Sequence, residues 1–225
     1  MSKILVSLSG GIDSTTLLGF ILNGGHQATA ISFTYGSKHN KYENEAARKV
    51  AAFYAVELLE LDISQAMQNI QSNLLLTGGE IPEGHYAAEN MKATVVPARN
   101  MIFLSIMAGI AESKGMDGLA IGVHAGDHAI YPDCRPDFIS HMYQAVKHAT
   151  DDKVGAIMAP FINMDKRQIV NIGGKILEPA PPYHLTRTCY KDQPVACGKC
   201  GSCVERLEAF KLNYLTDPIE YEVTE

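Results

Sequence analysis

Short apolar runs take turns with longer stretches of helical period along most of this chain. The first run, KILVSL at residues 3–8, is too short for a helix and suits a buried strand. Beyond SGGIDS, the apolar positions of TTLLGFILN recur at helical spacing until Gly24 and Gly25 stop them. QATAISFTY at 27–35 then predicts a second strand, ENEAARKVAAFYAV at 43–56 a helix and VELLELDI at 56–63 a third strand. NMIFLSIMAGIAESKG at 100–115 predicts a strongly apolar helix, DGLAIGV at 117–123 a fourth strand, and VERLEAFKLNYL at 204–215 a last helix. Repeated strand–helix units predict an α/β fold, a doubly wound parallel sheet with helices on both faces. Ligands of such sheets bind beyond the carboxyl ends of the strands, which singles out SGGIDS, TYGSKHNK and HAGDHAIYPDCR. Residues 75–97 have little period and read as a long functional loop.

Composition narrows the picture. The 225 residues, 46% hydrophobic, suffice for one sizeable core or for one core and a small appendage. A net charge of -6 and a pI near 5.7 disfavour a partner bound through a nucleic-acid backbone. No apolar run of roughly 18 residues and no leader pattern stand out, so no membrane association and a cytoplasmic location are expected. Four of the five cysteines fall between Cys189 and Cys203, which in a reducing compartment predicts a metal site. Cys197, Cys200 and Cys203 follow C-x2-C-x2-C spacing, and Cys189 offers a fourth thiolate. Four sulfur ligands without an open position predict structural zinc, with an iron–sulfur cluster as the competitor. We therefore divide the chain into a main domain at 1–185 and a zinc-binding, helical segment at 186–225, whose metal would pin the last helix to the main domain.

The chemistry begins at SGGIDS. Ser9, Gly10 and Gly11 after a strand, with Ser14 and Thr15 at the start of a helix, gather free backbone N–H groups and a helix dipole at one point, which suits an anion. Glycines let a phosphate approach the backbone. The lysine of a Gly-Lys-Ser/Thr P-loop, which serves γ-phosphoryl transfer, is absent, so a different bond is cut. The stretch resembles the PP-loop of ATP pyrophosphatases, which cut between the α and β phosphates. SGGIDSTTLL, SFTYGSKH, VVPARNMIFLSIMA, YPDCRPDFI, DKRQIV and CGKCGSC follow the order seen in the 7-cyano-7-deazaguanine synthase family of the queuosine pathway, and together they span nearly the whole chain.

That resemblance implies a PP-loop, HUP-like and Rossmann-like domain that adenylates the carboxylate of 7-carboxy-7-deazaguanine with ATP. Ammonia would then displace AMP to give the amide, and a second ATP would drive dehydration to the nitrile. It implies that Ser9, Gly10, Gly11, Asp13, Ser14 and Thr15 contact ATP phosphates, with Asp13 near Mg²⁺. Adenine would lie at Phe33 and Tyr35, partly on main chain. Arg99 and Lys166 would stabilise charge on the α phosphate and the departing pyrophosphate. Asp127, Tyr131, Asp133 and Arg135 would hold the deazaguanine, a carboxylate accepting from its ring donors and a guanidinium pairing with its carboxylate. A homodimer is implied as well. Cys134 reads as a buried small hydrophobe rather than a nucleophile. His124 and His128 bracket Asp127 and read as hydrogen-bonding groups.

Departures stand beside the matches. Residues 125–130, Ala-Gly-Asp-His-Ala-Ile, replace the more polar segment usual before YPDCR, and Ala98 stands where glycine is usual. The lost polar groups would face the reacting end of the substrate, which leaves a ligase that stops at the amide as an alternative. A tRNA-thiolating enzyme with the same loop is a second; it predicts a basic surface and a catalytic cysteine. A non-catalytic nucleotide-binding module is a third.

Overall fold

A computed structural model describes residues 1–85, 88–127 and 129–222, Asp127 by its backbone only. The strand–helix alternation is present throughout. β1 (Lys3–Ser7), α1 (Ile12–Asn23), β2 (Gln27–Thr34), α2 (Asn40–Phe53) and β3 (Leu58–Asp62) follow one another, with a single turn α3 (Ser64–Met67) after them. α4 (Arg99–Ser113), β4 (Gly118–Ala120), α5 (Pro136–Ala149), β5 (Ile157–Met158), α6 (Lys166–Lys175) and α7 (Gly201–Leu212) complete the order. All strand pairs are parallel, in the spatial order β3-β2-β1-β4-β5. The fifth strand is absent from the sequence reading because its two residues are too few to show a period.

Each face of the sheet has its own core, as the double winding predicts. Leu5, Ile31 and Leu119 pack on Leu104, Met107 and Ala111 of α4 and on Ile139 and Val146 of α5. Ile4, Val6 and Ala30 point the other way, against Leu17, Leu18 and Ile21 of α1, Ile169 and Val170 of α6 and Phe210 of α7. Successive β1 side chains thus feed opposite cores, which is why a run with no polar alternation is right for this strand. Leu104 and Met107 have no exposed surface, so truncating either to alanine costs about 2–5 kcal/mol. Residues 89–113 are long and apolar enough by composition to cross a membrane. The stretch is broken at Ala98, whose φ of 54° lies in the left-handed region, and the inner side of α4 is taken up by the core.

The strand order reverses between β1 and β4, and the segments leaving these two strands face one crevice. Gly122, just past β4, lets the two approach: a Cβ there would stand 3.2 Å from the Asp13 carbonyl carbon. None of the described residues of 75–97 lines the cavity that opens there. Gly84 N–H donates to the Lys199 carbonyl at 3.0 Å, Glu83 pairs with Lys191, and Ile81 packs on the cysteines. This part of the segment expected to be a functional loop is built against the C-terminal cysteines.

Candidate active site

A cavity of about 190 Å³ opens beyond β1 and β4. From the loop after β1 it takes Ser9, Gly11, Asp13 and Ser14. The helix starts at Ile12 with Gly11 as its cap, so Asp13 and Ser14 belong to the first turn, where amides have no intrahelical acceptor. Ser14 Oγ donates to the Gly11 carbonyl at 3.2 Å and accepts from Ser9 N–H at 3.2 Å, and it lies 3.1 Å from Ser9 Oγ. These bonds hold the loop in shape before any ligand arrives.

Two residues of the motif lie behind the cavity wall. Gly10 has φ 79°, and a Cβ there would sit 2.6 Å from the Ala47 amide nitrogen, so its glycine admits α2. Neither it nor Thr15, which is fully buried, is part of the cavity wall.

Asp13 is the centre of a charged cluster assembled from four segments. Its Oδ2 lies 3.3 Å from Lys166 Nζ and 3.7 Å from His124 Nε2. Lys166 opens α6 behind a capping box made by Asp165 and Gln168, and its Nζ donates to Glu205 Oε2 of α7 at 2.6 Å. His124 Nδ1 accepts from Gly126 N–H at 3.1 Å, which assigns its proton to Nε2, the nitrogen toward Asp13. Asp13 Oδ1 is buried and has no hydrogen-bond partner. A free carboxylate oxygen in a phosphate-type loop is the donor a divalent cation needs, so the residues present fit Mg²⁺.

The far wall is aromatic. Phe33 stacks on Phe103 with centroids 4.2 Å apart, and Tyr35 meets Phe103 edge-on. Arg99 opens α4, donates to Tyr35 Oη at 3.4 Å and lies over its ring. Burial pushes the Tyr35 phenol above its ordinary range, with Glu43 adding to the effect. Of their main-chain groups, Phe33 O accepts from Asn40 Nδ2 at 3.2 Å, and Tyr35 N–H donates to Asn40 Oδ1 at 3.1 Å. Both residues also line the cavity.

The YPDCR segment is divided. Tyr131 and Cys134 line the cavity, whereas Asp133 and Arg135 do not, and Arg135 is exposed. Asp133 Oδ2 accepts from Asn100 N–H at 2.8 Å and so caps the start of α4. Asn100 Nδ2 reaches the Asp133 carbonyl at 3.2 Å and Cys134 Sγ at 3.3 Å. Cys134 is buried as expected, but as part of the wall with a polar contact. The side chain of Asp127 and all of His128 lie outside the described residues. In the departing segment, Ala125 N–H donates to the Met164 carbonyl at 2.7 Å and Ile130 is in the core; neither they nor Ala129 line the cavity.

Much of the wall comes from residues the sequence reading passes over. His39 and Glu43 come from the start of α2, and Arg187, Thr188, Tyr190, Ser202 and Glu205 from the C-terminal segment. Arg187 is tied to the phosphate-type loop by its N–H, which donates to the Gly10 carbonyl at 2.8 Å, while its guanidinium donates to the carbonyls of Lys191, Gln193 and Pro194. No local spacing marks these residues; the closest signals are Cys189, which Thr188 and Tyr190 flank, and the C-x2-C-x2-C run, which contains Ser202.

The cysteines themselves stay out of the cavity. The four Sγ atoms of Cys189, Cys197, Cys200 and Cys203 lie within 4.8 Å of one another and are fully buried, with Cys197 and Cys203 sulfurs 4.0 Å apart. Tetrahedral zinc with Zn–S bonds of about 2.3 Å needs sulfurs about 3.8 Å apart, so the set fits that ion. Lys199 and Cys200 N–H groups point at Cys197 Sγ and Lys191 and Cys197 N–H groups at Cys189 Sγ, at 3.3–3.4 Å, the outer contacts of a knuckle.

The family described as queuosine biosynthesis protein QueC matches residues 3–214. The chain is 46% identical to 7-cyano-7-deazaguanine synthase 1 of Colwellia psychrerythraea over 98% of its own length and 99% of that protein. It is also 46% identical to 7-cyano-7-deazaguanine synthase of Caldicellulosiruptor bescii, over 98% of each chain. Among solved structures it is similar in fold to NMN synthetase from Francisella tularensis, with a TM-score of 0.50 and 15% identity over 96% of this chain and 78% of that one.

Proposed function

The chain belongs to the QueC family of queuosine biosynthesis proteins, and on that premise we propose that it is an ATP-dependent ligase converting 7-carboxy-7-deazaguanine and ammonia to 7-cyano-7-deazaguanine. The observation that supports this best is the meeting of Asp13 and Lys166 at the mouth of the SGGIDS loop, in one cavity with Arg99. A carboxylate resists attack by ammonia until one of its oxygens becomes part of a leaving group, and adenylation supplies that group. Lys166 and Arg99 bring positive charge to the α phosphate and the departing pyrophosphate, where charge develops. The first-turn amides of α1, with Ser9, Gly11 and Ser14, receive the pyrophosphate. Asp13 Oδ1 would hold Mg²⁺, which when bound would draw charge from the phosphate oxygens.

The aromatic wall of Phe33, Tyr35 and Phe103 takes a flat base. Tyr131 meets the deazaguanine from the cavity wall, while Asp133, through Asn100, holds that wall in place; recognition by Asp127 and Arg135 belongs to the same reading. Zinc fills the cysteine cluster and fixes the 186–225 segment on the 1–185 domain. A cytoplasmic homodimer is part of the same reading. Among the described residues of the altered loop, Ala125, Ala129 and Ile130 are outside the cavity wall, which supports a retained nitrile-forming step. Cys134, buried and bonded to Asn100, is not placed as the exposed thiol that a tRNA-thiolating enzyme would use.

Mass spectrometry decides the reading. Incubation with 7-carboxy-7-deazaguanine, ammonia and ATP is expected to yield the nitrile with AMP and pyrophosphate. Lasting amide without nitrile would restrict the activity to the first half, and absence of AMP would reject adenylation.

A further inference from the structure

His39 and Glu43 stand one helical turn apart at the start of α2, both on the cavity wall, and neither has a part in binding phosphate or metal in the reading above. His39 is 2% exposed; its Nε2 lies 3.4 Å from Glu43 Oε2, and its ring leans on Tyr190 with centroids 5.3 Å apart. Its Nδ1 is buried and makes no hydrogen bond. Buried polar atoms without partners are rare enough to need a reason. With the proton on Nε2 toward the carboxylate, Nδ1 keeps a lone pair and is a neutral acceptor, in a wall whose other carboxylates, Asp13 and Glu205, both face Lys166.

We propose that His39, held by Glu43, is the base that takes the proton from the attacking nitrogen. The assignment rests on the ligase reading. As ammonia's lone pair forms the C–N bond, the bond from the acyl carbon to the AMP oxygen breaks, and AMP leaves with the electron pair. The nitrogen then carries one proton too many, and His39 Nδ1 accepts it. The products are amide, AMP and an imidazolium, so charge and atoms balance. Glu43 stabilises that imidazolium from the other nitrogen, as a carboxylate behind a catalytic histidine does. The amide nitrogen has two protons to lose on the way to the nitrile, one as the amide oxygen is adenylated and the other as AMP departs, and His39, once it has released its proton to solvent, is the acceptor for them.

The test separates nucleophiles. Acyl adenylate can be captured by ammonia, which needs a base, or by hydroxylamine, a better nucleophile whose adduct sheds its proton to water unaided. His39→Gln is expected to lower amide formation from ammonia by about 100-fold or more, while hydroxamate formed from hydroxylamine falls by no more than about threefold. Glu43→Gln, at a less buried position, is expected to lower the amide-to-hydroxamate ratio about tenfold. Equal losses with both nucleophiles, or no loss with either, would overturn the proposal. If His39→Gln does not fold, the Glu43→Gln ratio decides alone. Lack of adenylate in the unaltered enzyme would instead sink the ligase reading.

Discussion

Ser9, Gly11, Asp13 and Ser14 put their own atoms on the cavity, whereas the four cysteines between 189 and 203 are buried away from it and send Thr188, Tyr190, Ser202 and Glu205 there. The loop works through contiguity: a strand end and a helix start bring near neighbours in sequence to one point, whatever the rest of the chain does. The knuckle works through delivery. Cys200 is the cap of α7, Ser202 and Glu205 stand within its first two turns, and Glu205 reaches Lys166. A group supplied locally fails alone when changed; a group supplied by a folded support fails together with its neighbours.

The widest separation is expected at the knuckle. Binding of zinc to a structural four-cysteine site contributes about 10–16 kcal/mol, and that energy is folding energy. Cys200→Ser should lose the metal, lower the melting temperature sharply and lose AMP formation with it, because α7 no longer holds Glu205. Metal content and thermal melts on the same sample check this. Unchanged melting without bound zinc would show that the knuckle is not the support it is taken to be.

Asp13→Ala should behave in the opposite manner. The residue faces the cavity rather than either core, and its Oδ1 makes no bond within the protein, so its loss should leave the fold standing. AMP formation should drop about 10²–10³-fold, the scale of removing one group that meets transition-state charge. A fall in stability comparable with that of Cys200→Ser would erase the contrast between the two regions.

The same contrast explains what could be read in advance. The α/β alternation and both motifs were legible because each depends on neighbours in sequence: β1 on a run of apolar residues, the loop on Ser9–Ser14, the knuckle on cysteine spacing. Illegible were the groups that the fold carries in from a distance. His39 sits inside a singled-out segment, TYGSKHNK, and Glu43 opens the helix predicted after it, but only the turn at the start of α2 shows that they face the cavity. Arg187 carries no spacing signal at all; its place follows from the Gly10 carbonyl that it meets. Asp133 and Gly10 are read as ligand contacts because their motif allows it, and the structure gives each a further task, at the cap of α4 and in the approach of α2. A motif identifies which residues are constrained and leaves open by what.

Glu205→Gln measures the delivered contribution alone. The amide keeps the shape and can still accept from Lys166, but removes one negative charge from a pair held at 2.6 Å and largely shielded from water. Lys166 would then lean toward Asp13, its other partner at 3.3 Å, and away from the place where pyrophosphate departs. About a tenfold loss in kcat/KM for ATP is expected, equivalent to roughly 1.4 kcal/mol, with zinc content unchanged. Loss of zinc in this variant would mean that α7 and the knuckle depend on each other in both directions.

The smallest effect concerns a position where the chain tolerates strain. Gly10 and Ala98 both have positive φ, at 79° and 54°, and each stands just before a segment that enters the cavity. At Gly10 the conformation has a residue that accepts it, and a Cβ would in addition collide with α2. At Ala98, the cap of α4, a Cβ is carried in the left-handed region, which costs about 1–2 kcal/mol for an ordinary residue. Ala98→Gly relieves that cost but returns conformational freedom to the unfolded chain, a loss of about 0.5–1 kcal/mol. The balance favours glycine by a few tenths to about 1 kcal/mol. Urea denaturation should therefore show a midpoint raised by about 0.2–0.5 M with an unchanged slope. A lowered midpoint would mean that Ala98 makes contacts worth more than its strain, and that the start of α4, unlike the loop after β1, is held by its side chain rather than by its backbone.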